Sequence, residues 1–423
     1  MALQGPFAVI ADSPAPEIIE ALRLAGAFPI IEATWADGPG ALASIEPEAV
    51  VLIEPCAEAA CAGALTKALA ARAEALGGLY MPVIARTREA GAACVPGAFA
   101  IAATVSPERF VRRVATAMRL RNLHATVLRR TRTLASRGEQ VPELPASDPL
   151  EEASVLVAGR GRSYPALSVA VGERVGVVGA LSVESAARAL NVRDINGMII
   201  GDGFAPKIVE ALLTVLAEDV RFRDLPVAVL GGHPAVVEPF AIELANLERV
   251  AEGPDRAVER LLPYVRAHAF GERLKRMLKS LDAKGMIDPN TGLLAHDAFW
   301  RDLNRAVDDA EKRGTGLSIA RFSFDAPDRR LSLDAARLVG RLMRQVDFAC
   351  READHSIFAV FTETDLRAAH VVTRRIASVL KNTMLAPDRR KKGVETAVTL
   401  ATLKPTDSVD SLIARVVGEV AAG

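Results

Sequence analysis

Few side chains in the 423 residues are spaced for chemistry. Cys56, Cys61, Cys94 and Cys350 lack paired metal-ligand spacing, and the six histidines form neither HxxxH nor HExxH. A structural zinc centre is not expected, and the thiols read as reduced and mostly buried. Two patterns in the C-terminal third stand out. Asp288-Pro-Asn-Thr-Gly-Leu293 has the residues of a tight turn, with Gly292 free to take a left-handed φ. Arg344-Gln-Val-Asp347 sets a guanidinium and a carboxylate three residues apart, a common ion-pair spacing on a helix surface. Nearer the N-terminus, Asp12, Glu54 and Asp202 each follow a short apolar run.

The elements that must position these residues alternate. Phe7–Ala11, Ala49–Ile53, Met81–Ala85 and Ala98–Ala103 read as buried strands, with helices over Pro16–Ala25 and Leu65–Ala75. From Pro107 to about Leu134 a long helix carries Phe110, Val114, Met118, Leu123 and Val127 at helical spacing, with Arg and His between them. A polar, Pro-containing stretch follows. A second series then runs Val155–Ala158, Arg174–Val178, Gly197–Ile200, Pro226–Leu230 and Arg249–Val250, with helices over 183–190, 205–216 and 255–268. Such βα order implies parallel sheets, here duplicated about 150 residues apart. A helix over 270–284 precedes the third segment. That segment reads as helix 297–313, strand 317–324, helix 333–344, a hairpin over 350–361, helix 366–381, strand 396–403 and helix 408–420.

Lys+Arg and Asp+Glu both total 52, so no global field favours nucleic acid or an anionic membrane. The N-terminus has no signal-peptide pattern, and no apolar run reaches the ~18–20 residues of a membrane span. The expectation is a soluble cytoplasmic protein without nucleic-acid partners.

From Asp288 onward the chain resembles the GGDEF family, whose active members are diguanylate cyclases. Asp288-x-x-Thr-Gly-Leu293 matches the family's opening motif, and the order of elements matches as well. Carried over without gaps, the signature loop falls on Ala353, Asp354, His355, Ser356 and Ile357. Both glycines and the metal-holding acid are gone, and His suits hard Mg²⁺ poorly. The second metal carboxylate falls on Ser323. Asp325, two residues on, is not expected to replace it. The resemblance therefore implies a degenerate cyclase with no catalytic residues, no metal and no cofactor. It also implies a kept ligand site. The RxxD motif, Arg344 and Asp347, stands five residues before the loop, and the family's second arginine falls on Arg375, with Arg313 as a weaker candidate. In the family this site takes cyclic di-GMP. Arginine forks suit its phosphates and guanine edges, and a carboxylate accepts from guanine N1–H. Arg344→Ala is expected to abolish binding without unfolding.

The first two segments resemble response-regulator receiver domains, with a flavodoxin-like, doubly wound fold. The first keeps Asp12 and Thr87, but Glu54 stands at the phosphoacceptor and Ala103 at the lysine position. In the second, Gly159-Arg160 replaces the acidic pair and Asp202 lies one residue late. Phosphorylation is not expected in either, which leaves dimerisation or docking. The expected organisation is a degenerate receiver-like domain with an extended C-terminal helix over 1–137 and a linker over 138–152. A second receiver-like domain over 153–268, a connecting helix over 269–285 and a degenerate GGDEF domain over 286–423 complete it. The implied protein is a homodimeric, non-catalytic cyclic di-GMP receptor that recruits protein partners. A nucleotide-independent adaptor and a weak cyclase remain open.

Overall fold

The computed structural model describes residues 3–56, 58–88, 93–139, 150–231, 244–324, 329–383 and 396–418. The chain divides into two compact units. One joins Phe7–Arg121 to Leu144–Lys275, and the other joins Ala2–Pro6 and Asn122–Glu143 to Arg276–Gly423.

The first unit holds two parallel sheets, as the βα alternation predicts. One is built from β1 (Phe7–Ala11), α1 (Pro16–Leu24), β2 (Ile30–Ala33), α2 (Gly38–Ser44), β3 (Ala49–Ile53), α3 (Ala59–Ala75), β4 (Val83–Thr87) and β5 (Phe99–Ala102). After α4 (Pro107–Ala135) comes the other: β6 (Ser154–Ala158), α5 (Tyr164–Gly172), β7 (Gly176–Ala180), α6 (Val183–Val192), β8 (Gly197–Ile200), α7 (Pro206–Glu218), β9 (Val227–Leu230) and β10 (Leu247–Val250). The orders are β2-β1-β3-β4-β5 and β10-β9-β8-β6-β7. Each is the doubly wound sequence in which the first strand lies between the second and the third. Helices on both faces bury the central strands completely. Leu156, Met198 and Val227 pack to one side of the second sheet, and Val155, Ile199 and Ala228 to the other. That is why AVVLI and GMII are continuous apolar runs rather than alternating ones.

Several elements differ from the sequence reading. β2, α2 and α5 are additional. The strand expected over 174–178 is β7, two residues later. The helices expected over 255–268 and 270–284 are one 30-residue helix, α8 (Pro254–Ala283), which continues through Pro263. On α4 the predicted apolar stripe is buried, but so are Arg113, Arg121, Asn122, His124, Arg129 and Arg130. These polar residues are interior, whereas Arg112 and Arg132 of the same helix are exposed.

The second unit is built on an antiparallel sheet of order β12-β13-β11-β14. Its elements are α9 (His296–Arg313), β11 (Leu317–Phe324), α10 (Arg329–Leu342), β12 (Phe348–Arg351), β13 (Ile357–Thr362), α11 (Leu366–Thr383), β14 (Thr396–Thr402) and α12 (Val409–Val417). Ala320, Phe322 and Phe324 alternate onto one face of β11, where Ala335 and Val339 of α10 and Ile376 and Leu380 of α11 pack against them. Left-handed Gly314 ends α9 and turns the chain into β11.

Candidate functional site

The Asp288 motif is a self-contained turn. The Asp288 carboxylate accepts from the Asn290 amide (3.0 Å) and the Thr291 hydroxyl (2.8 Å), and Gly292 sits at φ 72°. Partial burial pushes its pKa up, but these donors outweigh burial and hold it below the usual range. The motif shapes the entrance to α9.

The positions expected to have lost a metal centre lie on two adjoining strands and the turn between β12 and β13. Ser323 is half-buried on β11, paired with Ala397 of β14. Ala353 and Asp354 are exposed in the turn, and Ser356 and Ile357 are buried at the start of β13. His355 takes a left-handed φ of 69°, and its Nδ1 lies 3.0 Å from Arg351 Nη1. The turn's carboxylate is already engaged. Asp354 accepts from the Ser356 amide (2.9 Å) and hydroxyl (2.6 Å) and from Arg321 Nη2 (2.6 Å). Arg321 is the site residue that the sequence reading missed. Its signal was its alternation with Ser323 on one face of β11. Asp325 lies outside the described residues. Among the described residues no cluster of three His, Cys, Asp or Glu side chains could hold a metal ion.

The RxxD residues do not lie on a helix. α10 ends at Leu342, and Arg344–Asp347 forms a turn closed by the Asp347 amide on the Arg344 carbonyl (3.0 Å). The Arg344 guanidinium grips Asp347 in a two-pronged pair, Nε to Oδ2 and Nη2 to Oδ1, both 2.9 Å. Nη2 also donates to the Thr362 carbonyl (2.9 Å) and the Thr364 hydroxyl (2.8 Å) at the end of β13. Burial disfavours the Arg344 charge, but the Asp347 carboxylate outweighs it and holds the guanidinium above its usual pKa. The pair is lopsided: the Asp347 side chain is 1% exposed and that of Arg344 39%. Asp347 Oδ1 also accepts from the Thr362 amide (3.2 Å). Both carboxylate oxygens are therefore occupied inside the fold, and Arg344 meets solvent.

Arg375, exposed on α11, donates to the Leu342 carbonyl (3.2 Å). It is thereby anchored at the end of α10, two residues before Arg344. Arg313 is not turned outward with them. It pairs with Glu363 at 2.7 Å, the two side chains being 13% and 11% exposed. Both line a small cavity with Asn122, Thr126 and Arg129. This geometry also corrects the expected behaviour of Arg344→Ala. With Asp347 buried behind it, removing the guanidinium strands a carboxylate in the interior, at a cost of about 3–5 kcal/mol.

In the first unit, Glu54 follows β3, and its Oε1 accepts from the Cys94 amide (2.8 Å) and thiol (2.9 Å). Burial, reinforced by that carboxylate, pushes the thiol pKa up to about 12. Asp12 accepts from the Trp35 amide (3.0 Å). Thr87 is buried at the end of β4, where its carbonyl accepts from the Ala103 amide (2.7 Å). Asp202 turns back onto the loop before α5. There it accepts from the Arg162 and Ser163 amides and the Ser163 hydroxyl, and the hydroxyl foremost holds its carboxyl below the usual range.

No family model matches the chain, and no curated protein matches it. The solved structures to which it is similar include GGDEF domains. The coiled coil and GGDEF domain of DgcB from Caulobacter crescentus in complex with c-di-GMP is 22% identical, with 35% of this chain and 84% of that one covered and a TM-score of 0.30. A sensory box/GGDEF family protein from Caulobacter crescentus is 19% identical over 31% and 94% of the two chains, with a TM-score of 0.28. The FimX GGDEF domain from Pseudomonas aeruginosa is 17% identical over 31% and 90%, also at 0.28. Likeness at this level carries no inference about ligand or activity. Among the described residues no helix is long and apolar enough to cross a membrane.

Proposed function

We propose that the chain is a non-catalytic receptor for cyclic di-GMP that couples ligand binding to the recruitment of partner proteins. One observation carries the reading. Arg344 is locked by Asp347 and the end of β13 while its side chain stays 39% exposed, and Arg375 is anchored at the same end of α10. A pre-positioned guanidinium loses little freedom on binding and suits phosphate oxygens and the O6/N7 edge of guanine. In this reading Asp347 is a positioning residue that aims Arg344 and does not itself touch the ligand. The absence of cyclase chemistry is argued from residue types: Ser323 and His355 stand where carboxylates would be needed, and Arg321 occupies Asp354.

The order of two receiver-like segments and a GGDEF segment resembles the cyclase PleD and, with its degenerate catalytic positions, the non-catalytic receptor PopA. By that resemblance the protein is a cytoplasmic homodimer acting at a cell pole in cell-cycle control. The second reading, an adaptor that binds no nucleotide, is favoured by one feature: the RxxD pair is closed on itself and already ties α10 to β13.

Calorimetry with cyclic di-GMP separates the two. The clean variant is Arg375→Ala, because Arg375 is exposed and makes a single long hydrogen bond. Binding by the intact chain, weakened at least about tenfold by Arg375→Ala, is the expected result. Silence at about 100 µM ligand would leave only the adaptor. Incubation with GTP and Mg²⁺ or Mn²⁺ tests the other half, and any cyclic product overturns it.

A further inference from the structure

The edge strand β7 is bare. Its sequence, Gly-Val-Val-Gly-Ala, contains no charge and no proline. Val177 is 44% exposed, with Val169 of α5 at 61% and Leu181 just beyond the strand at 59%. The other sheet edges in the same unit are guarded or covered: β5, Phe-Ala-Ile-Ala, is also uncharged, but its Phe99 and Ile101 are buried. β2 follows Pro29 and carries Glu32, and β10 carries Glu248 and Arg249. Charge and proline on an edge block pairing with another chain, and β7 has neither.

The main chain of β7 fixes what can pair with it. The Gly176 amide donates to the Ala153 carbonyl (2.9 Å), and the Ala180 carbonyl accepts from the Gly159 amide (3.0 Å). Alternate residues of a strand turn their peptide groups to opposite sides, so Gly176, Val178 and Ala180 face β6, and Val177 and Gly179 face outward. We propose that β7 is a docking edge for a second copy of this chain, joined antiparallel about a two-fold axis through Val178. This register alone pairs the outward Val177 of each copy with the outward Gly179 of the other. Two such pairs exchange two hydrogen bonds each, and the sheets join into one.

The side chains suit that register. Gly179 sets no side chain of its own against the opposing Val177, and the Tyr164 hydroxyl fills the space that a side chain at Gly179 would need. The same register carries exposed Arg174 past Ser182 of the second copy towards its Glu184, in the first turn of α6. Beyond the ends of the strand, this register brings opposite charges towards one another on both sides of the axis. The proposal stands apart from the ligand reading and supplies a surface for the expected homodimer.

The test uses the full chain, with light scattering after size exclusion across the micromolar range. A dimer is expected, with Val177→Lys raising its dissociation constant at least about tenfold. Val177 lies on the surface, and an unchanged melting profile would show that the variant folds. A second readout does not depend on that variant. In a Cys94→Ser background, Val178→Cys sits on the axis and should give a covalent dimer on mild oxidation, whereas Val192→Cys should not. A monomer at all concentrations overturns the proposal and leaves the edge to a strand of another protein. A dimer insensitive to Val177→Lys and not trapped by Val178→Cys overturns this surface but not dimerisation. Calorimetry with the nucleotide is read independently of either result.

Discussion

Asp302, on α9, offers a sharp test of what holds the second unit together. Its side chain is fully buried, and its partners all come from the last turns of α4. It accepts from Arg129 Nε (3.1 Å) and the Thr133 hydroxyl (3.3 Å), with Arg130 Nη1 at 3.5 Å. The two guanidinium carbons lie 5.1 and 5.4 Å from the centre of the Phe348 ring, the residue after Asp347. Asp302→Ala leaves two buried guanidiniums short of their counter-charge, because the nearest other acid, Asp282, is 3.9 Å from Arg130 Nε and 28% exposed. Removing one partner of a buried pair costs about 3–5 kcal/mol. That is a large share of the ~5–15 kcal/mol that holds a typical domain. Hydrogen exchange of the α9 amides reads this locally, and a denaturant titration reads it globally. Replacing both members, Arg129→Met with Asp302→Leu, should cost less than the sum of the single changes by about 1–3 kcal/mol. An Asp302→Ala variant within about 0.5 kcal/mol of the parent would refute the reasoning, since it would mean that the cluster carries no net energy.

Two further outcomes follow from pairing within single units. Asp407, bonded first to Arg415 and also to Ser411 and the Lys404 amide, has its pKa lowered to about 2. A carboxylate depressed on folding stabilises above its unfolded value and loses that contribution as pH falls through the folded value. Exchange protection of α12 should therefore fall between about pH 4 and pH 2, and Asp407→Ala should remove that step. The Cys94 thiol, exposed yet pushed up to about 12 by burial and then by Glu54, should alkylate slowly at pH 8. Glu54→Gln should speed the reaction, and an unchanged rate would mean that the carboxylate does not govern the thiol.

Much of the fold was legible because it follows from apolar patterning. AVVLI, VAVL and LSIARFSF are β-strands buried on one or both faces. The rest escaped for identifiable reasons. β2, Ile-Ile-Glu-Ala, is a four-residue edge strand too short for a periodic signal. α5 is apolar on every side and shows no amphipathic stripe. On α4, charged residues stand between the apolar ones with nothing in the pattern to mark them as interior, yet Arg121 is fully buried against Glu48 at 2.8 Å and Arg129 is buried against Asp302. Periodicity reports which residues are apolar, not which charges have found a partner, and those partners are remote in sequence. The candidate site was legible as a constellation but not in its polarity. The resemblance to the GGDEF family brought Arg344, Asp347 and Arg375 together, but could not tell that Asp347 faces inward.

The inward carboxylate bears on how any anion could bind here. In the second unit several acids already hold arginines: Asp302 with Arg129, Asp354 with Arg321, Asp347 with Arg344, Glu363 with Arg313 and Asp407 with Arg415. A phosphate ligand approaching this surface meets guanidiniums whose charge is largely compensated within the fold. Long-range attraction is then weak, and affinity must come from short-range geometry, through nitrogen donors that the internal pairs leave over. Of the pairs named, Arg344–Asp347 couples an acid whose side chain is 1% exposed to a guanidinium that remains 39% exposed. A carboxylate that is fully desolvated cannot swing out to follow its partner, so it fixes the guanidinium plane without screening its outer edge. The weak dependence on ionic strength that this implies distinguishes a geometric clamp from a diffuse basic patch. A patch would lose affinity steeply with added salt, whereas the clamp would lose it mainly when Arg344 or Arg375 is changed.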